Sequence, residues 1–92
     1  MTGKLISIEG IEGAGKSTVA GQLADRLREA GHSVLELREP GSTPVGESLR
    51  TLLKDGTIHL APLTEAFLFE AARHELVVRR IRPALAEGQW VV

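Results

Sequence analysis

Leu5, Ile6, Ser7 and Ile8 form a short, nearly continuous apolar run closed by Glu9 and Gly10, which is the pattern of a parallel strand covered on both faces and predicts a first strand over residues 4–9. After a glycine-rich stretch, Val19, Leu23, Leu27 and Ala30 recur at helical spacing, with Asp25, Arg26, Arg28 and Glu29 on the other faces, and Gly31 offers a left-handed stop. Val34, Leu35 and Leu37 then predict a second strand over residues 33–38, bounded by Gly31 on one side and Pro40 and Gly41 on the other. Strand, helix, strand in so short a span is a βαβ unit. Beyond the turn-rich run Pro40-Gly41-Ser42-Thr43-Pro44, the positions of Val45, Leu49, Leu52 and Leu53 predict a helix that Gly56 ends. Thr64 is the expected N-cap of a long helix, with Glu65 in its first turn and Phe67, Leu68, Ala71, Ala72, Leu76 and Val77 along it. Pro83 is expected to break that helix or to start a short successor. Gln89, Trp90, Val91 and Val92 begin a third strand, so the sequence reads as the N-terminal portion of a longer fold.

Length bounds the answer further. Ninety-two residues allow one domain, assigned to residues 1–92, and a chain of this size hides only about 60 to 65% of its unfolded surface on folding. Hydrophobic residues at 42% and charged residues at 25% are ordinary globular usage and exclude a disordered tail or a collagen-like repeat. Eleven Lys and Arg against twelve Asp and Glu give a net charge of -1, which denies the chain the basic field that nonspecific binding to nucleic acid or acidic membrane needs. The absence of cysteine removes disulfides, thiolate zinc sites and cysteine nucleophiles together, and suits a reducing compartment. No stretch approaches the roughly 18 apolar residues of a membrane span, and no basic segment followed by an apolar core opens the chain. A cytoplasmic protein without membrane or nucleic-acid partners is the expectation.

The chemistry concentrates in Gly10, Ile11, Glu12, Gly13, Ala14, Gly15, Lys16 and Ser17, which match G-x-x-x-x-G-K-[ST] between a predicted strand and a predicted helix. Glycines let the backbone curl so that successive N–H groups point inward. The helix that follows adds its positive N-terminal end, so the segment through Thr18 is expected to cradle nucleotide phosphates. Lys16 is expected on the outer phosphates of ATP and the Ser17 hydroxyl on Mg²⁺. The loop alone does not select a reaction, since one such cradle serves kinases, GTPases and motor ATPases.

Four features in order narrow the choice: Glu12 inside the loop, Arg38-Glu39-Pro40-Gly41 after the second strand, Gly46, Glu47 and Arg50 beyond it, and Leu68-Phe69-Glu70-Ala71-Ala72-Arg73 on the long helix, followed by Pro83-Ala84-Leu85. Together they resemble the bacterial thymidylate kinases over essentially the whole chain. The resemblance implies the three-layer α/β P-loop NTPase fold with a parallel sheet, about three strands and four helices of it within this sequence. It also implies transfer of the ATP γ-phosphate to dTMP, giving dTDP. By that resemblance Glu12 accepts from the 3′-hydroxyl of the sugar, as an ionised carboxylate suits a hydroxyl donor. Arg50 grips the acceptor monophosphate, for which a planar guanidinium fork is better shaped than an ammonium. Phe69 stacks on thymine and Arg73 donates to its O4, where cytosine carries a donor amine. Phe69 among Leu68 and Ala72 also reads as an ordinary core residue. Arg38, Glu39 and Pro40 fall at the carboxyl end of a parallel strand, where open α/β sheets place ligands; Arg38 and Pro40 are assigned to dTMP, and Glu39 to catalysis beside Lys16.

Some positions depart from the family pattern. Ser42 stands where many members carry a second glycine, which predicts only a changed turn. Gly13 replaces the arginine that some members place in the loop, which implies that a lid, lying past Val92 with an Asp-Arg pair, supplies that charge. His32, His59 and His74 lack metal-ligand spacing and are read as surface residues. Arg79, Arg80 and Arg82 are read as a solvated helix end or part of a subunit interface, the family being commonly homodimeric. The 92 residues taken alone are expected to be inactive, and two rival readings stay open: a truncated nucleotide-binding module that does not transfer phosphate, and another P-loop small-molecule kinase or GTPase.

Overall fold

The computed structural model describes residues 3–10 and 15–92. In chain order it contains helix α1 (Lys16–Glu29), strand β1 (Val34–Leu35), helix α2 (Pro44–Lys54), helix α3 (Pro62–Leu76), a π-helical turn (Val77–Ile81), helix α4 (Arg82–Ala86) and strand β2 (Trp90–Val91). Two units divide the chain, one made of Met1–Leu37 with Pro83–Val92, the other of Arg38–Arg82.

In the first unit β1 and β2 run parallel, with Val34 opposite Trp90 and Leu35 opposite Val91. Leu5 forms a parallel bridge to Val91 as well, so β2 lies between the N-terminal segment and β1. The first predicted strand, over residues 4–9, is thereby corrected to a single bridge, though the Ile6 amide donates to the Val91 carbonyl at 2.8 Å and the Val91 amide to that of Lys4 at 2.9 Å. Coverage on both faces is corrected too, because Leu5 remains 53% exposed. The second strand is regular over two residues only, yet its ladder continues through Trp90 N–H to Ser33 O at 2.8 Å and Leu37 N–H to Val92 O at 2.9 Å.

Helix α1 turns Ala24 fully inward and leaves Val19 49% exposed, so the inward stripe runs through Ala20, Leu23, Ala24 and Leu27 and not through Val19 and Ala30. A methyl side chain lets the helix backbone approach its neighbours closely, which is why alanine and not valine takes the centre of the contact. The helix stops where the sequence predicts. Gly31 adopts φ 95, its amide donates to Arg28 O and the His32 amide to Leu27 O, both at 3.0 Å, the paired bonds that close a helix around a left-handed residue. Val91, Val92 and Ala84 complete the buried positions of this unit, and the His32 ring lies tilted against Trp90 with centroids 4.6 Å apart.

In the second unit α2 is capped by Thr43, whose buried Oγ1 accepts from the Gly46 amide at 2.8 Å, with Pro44 in the first helical position. A Cβ at Gly46 would stand 2.8 Å from both the Gly41 carbonyl oxygen and Thr43 Oγ1, so only glycine lets the loop lie on the helix this closely. The expected stop at Gly56 is corrected to Asp55, whose carboxylate accepts from the Thr57 amide at 2.9 Å and from its hydroxyl at 2.7 Å. The expected N-cap at Thr64 is corrected to Ala61: Pro62, with φ fixed near its helical value and no N–H to satisfy, begins α3. Ala72 and Leu76 are the buried residues of α3, while Leu63 and Phe67 are about two-thirds exposed at 66% and 65%. Past α3 the Arg82 amide donates to Val77 O, widening the helix by one residue before Pro83, which opens the short α4 as expected. No helix among the described residues is long and apolar enough to cross a membrane.

Candidate functional site

The first unit offers an anion site at the start of α1. Gly15 adopts φ 82, a left-handed conformation suited to glycine, and nothing lies within 4 Å of where its Cβ would be. Lys16, Ser17 and Thr18 follow as the first three helical residues, and the first bond across this turn is Val19 N–H to Gly15 O at 3.0 Å. Gly15 at the N-cap position has no side chain to cap the helix, and no acidic residue stands in its first turn. The early amides and the partial positive charge of a helix end suit an anionic ligand. Lys16 is half-buried, and Ser17 and Thr18 are exposed. Ile11, Glu12, Gly13 and Ala14 lie outside the described residues; Gly10 is exposed at the end of the N-terminal segment.

The second unit gathers three arginines on one short loop. Arg38 grips Glu47 with both arms, Nη2 donating to Oε1 at 2.8 Å and to Oε2 at 2.9 Å and Nε to Oε1 at 3.2 Å. Arg73, reaching from α3, donates from Nε to Glu39 Oε1 at 2.9 Å and from Nη2 to Oε2 at 3.3 Å. Arg50, from α2, donates from Nη1 to the Pro40 carbonyl at 3.0 Å. Two guanidinium groups, of Arg73 and Arg50, are therefore tied to the consecutive residues 39 and 40, next to Arg38, whose own guanidinium is held by Glu47. Arg50 is held by a neutral carbonyl, and its charge acts on the Glu47 carboxylate as well. Phe69 lies one helical turn before Arg73 on α3 and is 41% exposed, which sets aside its reading as an enclosed core residue. The structure thus brings together Arg38, Glu39, Pro40, Arg50 and Arg73 of the predicted residues, and places Glu39 against Arg73.

Two contributors were not assigned roles by the sequence pattern. Glu47, in the first turn of α2, reaches back to accept from the Ser42 amide at 3.2 Å while it holds Arg38. This is a capping box displaced by one residue, and Thr43 followed four positions later by Glu is the signal that marks it. Arg80 is the other: its Nη1 donates to the Ser42 carbonyl at 3.0 Å, which corrects its reading as part of a solvated helix end. Arg79 instead pairs with Glu75 on the surface, at 3.2 Å.

The Arg38 hydrogen bonds, and after them the Ser42 amide, hold the Glu47 carboxyl below its usual value near 4.5. A carboxyl depressed in the folded state stabilises the fold above about pH 4.5, and that contribution is lost as pH falls through the lowered value. In an NMR titration Glu47 is expected to titrate below its usual value, and Arg38→Ala to raise its midpoint. A midpoint unmoved by the substitution would mean that Arg38 does not set it. His32, His59 and His74 are all exposed, and no cluster of three metal-ligating side chains occurs among the described residues.

The thymidylate kinase family profile matches residues 8–92. The chain is 51% identical over 88 residues to a thymidylate kinase of Chlorobium chlorochromatii, covering 96% of this chain and 40% of that one. It is 58% identical over 87 residues to one from Thermomicrobium roseum, with 95% and 41% covered. The crystal structure of thymidylate kinase from Ehrlichia chaffeensis superposes with a TM-score of 0.89 at 38% identity, over 99% of this chain and 50% of that one. A Candida albicans thymidylate kinase gives 0.74 at 31% identity, over 98% and 38%. The chain thus spans about two-fifths of the length of the curated relatives it matches. With the parallel strands, the uncapped N-terminus of α1 and the arginine-bearing loop already in place, these likenesses lead to one assignment: the chain belongs to the thymidylate kinase family and has its α/β P-loop fold.

Proposed function

We propose that the protein transfers the γ-phosphoryl group of ATP to dTMP, giving dTDP, and that it works in the cytoplasm, as a homodimer, with Mg²⁺. The observation that carries the reading is the convergence of Arg38, Arg50 and Arg73 on the 38–40 loop, with Phe69 one helical turn from Arg73. A polyanionic ligand with a planar, hydrogen-bonding base calls for that combination. Arg50 takes the acceptor phosphate, Arg73 donates to thymine O4, and Phe69 supplies an apolar face for the ring. Glu12 orients the sugar through its hydroxyl. Residues 10–18 take the ATP phosphates, where Lys16 and the first amides of α1 draw off charge as the phosphoryl group moves. Glu39 steadies Arg73 in addition to its proposed catalytic place.

The exposed Ser17 hydroxyl at the start of α1 fits one position on Mg²⁺, an ion that keeps several waters and takes most of its other ligands from phosphate oxygens. When bound it supplies charge neutralisation at the phosphates.

Chromatographic detection of dTDP after incubation of the purified protein with Mg·ATP and dTMP tests the proposal. Steady product formation by the full-length protein is expected. Binding of both nucleotides without dTDP would transfer the chain to the rival reading of a nucleotide-binding module.

A further inference from the structure

Arg80 occupies a position where the pattern of its own helix calls for an apolar residue. Ala72 and Leu76, 1% and 2% exposed, are the buried positions of α3, and residue 80 continues their four-residue spacing into the π-helical turn. A guanidinium drawn partly out of water on that face needs an acceptor. It finds the Ser42 carbonyl, at 3.0 Å.

Ser42 is itself unusual, being the non-glycine residue with a positive φ among those described, at 64. Such a conformation is unfavourable for a residue with a Cβ and persists where the surroundings hold it. Here each of its polar groups is engaged. Its amide donates to Glu47 Oε1 at 3.2 Å, its Oγ accepts from the Arg38 amide at 2.8 Å and lies 3.0 Å from the Arg38 carbonyl, and its own carbonyl accepts from Arg80. The turn so held carries Arg38 directly, and its Pro40 carbonyl fixes Arg50.

We propose that Arg80 is a positioning residue: by clamping the Ser42 carbonyl it keeps the left-handed turn closed, and thereby sets the directions of Arg38 and Arg50 toward the acceptor phosphate. The acceptor half of this statement rests on the kinase reading above. The sequence also explains the need for the clamp. Where glycine would adopt this turn freely, serine requires an outside partner, and Arg80 provides one without touching the acceptor itself.

Amide hydrogen exchange and calorimetric titration on the purified protein test this with Arg80→Ala and Arg80→Lys. Loss of a hydrogen bond from a charged donor corresponds to about tenfold or more. Arg80→Ala is therefore expected to speed exchange of the Ser42 and Arg38 amides about tenfold, to weaken dTMP binding by a similar factor, and to leave ATP binding unchanged. Lysine, which can still donate one bond to a carbonyl, is expected to recover most of both effects. Wild-type exchange at Ser42 in the alanine variant would overturn the clamp. Faster exchange there with unaltered dTMP affinity would overturn the link to the acceptor, and so would a loss of protection that spreads to Ala24 and Val91, since that marks general stability. A wild-type protein that binds no dTMP defeats the kinase reading and the acceptor role together, and this control separates that failure from failure of the clamp alone.

Discussion

Lys16→Ala is expected to lower kcat/KM for dTDP formation by about 10³-fold, at the upper end of what removal of one preorganised donor costs in sites that stabilise developing charge. Lys16 is the first residue of α1, beside the uncapped amides and the left-handed Gly15. Its ammonium is the mobile full charge that the family pattern aims at the outer phosphates. Phosphoryl transfer depends on positioning and on neutralising charge spread over the phosphate oxygens, and fixed amide dipoles alone supply only part of that. Because Lys16 is only half-buried at a helix end, the variant should keep its circular dichroism and melting temperature. Steady-state kinetics with both substrates varied provides the check. Undiminished turnover would remove the loop from the mechanism.

The second large effect is expected at the base-reading end. Arg73→Ala should raise the KM for dTMP by about 10- to 100-fold while leaving that for ATP within about twofold, and should narrow the preference for dTMP over dCMP. Two losses combine. The donor proposed for thymine O4 disappears, and the Glu39 carboxylate, held by Arg73 at 2.9 and 3.3 Å, loses that partner. Cytosine presents a donor at the corresponding position, so truncation removes an attraction to one base and a conflict with the other. Competition assays with the two monophosphates check this. Equal losses for ATP and dTMP would point to a general disturbance of α3 instead of base reading.

What could be read along the chain follows from the range of each interaction. The stop at Gly31 and the successor helix at Pro83 were legible because a left-handed φ and a missing N–H act within one turn of backbone. Nearby caps were less so. Thr64 and Gly56 are sound terminal signals, but Pro62 and Asp55 act sooner along the chain, and where two local signals compete the spacing alone does not choose. The exposure of Leu5, Val19 and Phe67 escaped the pattern for a different reason: periodicity tells which residues share a face, not what covers that face.

The candidate site divides in the same way. The phosphate loop could be proposed from a short motif, and Arg50, Phe69 and Arg73 from the resemblance to a family. That Arg38 is gripped by Glu47, that Glu39 meets Arg73 across 34 positions, and that Arg80 reaches Ser42 across 38 could not. By itself the amino-acid order determined the order of the main helices, the parallel pairing of the later strands and the family. Tertiary structure alone decided which carboxylate or carbonyl each arginine grips, since hydrogen bonds between side chains distant in sequence depend on where the packed helices bring their ends.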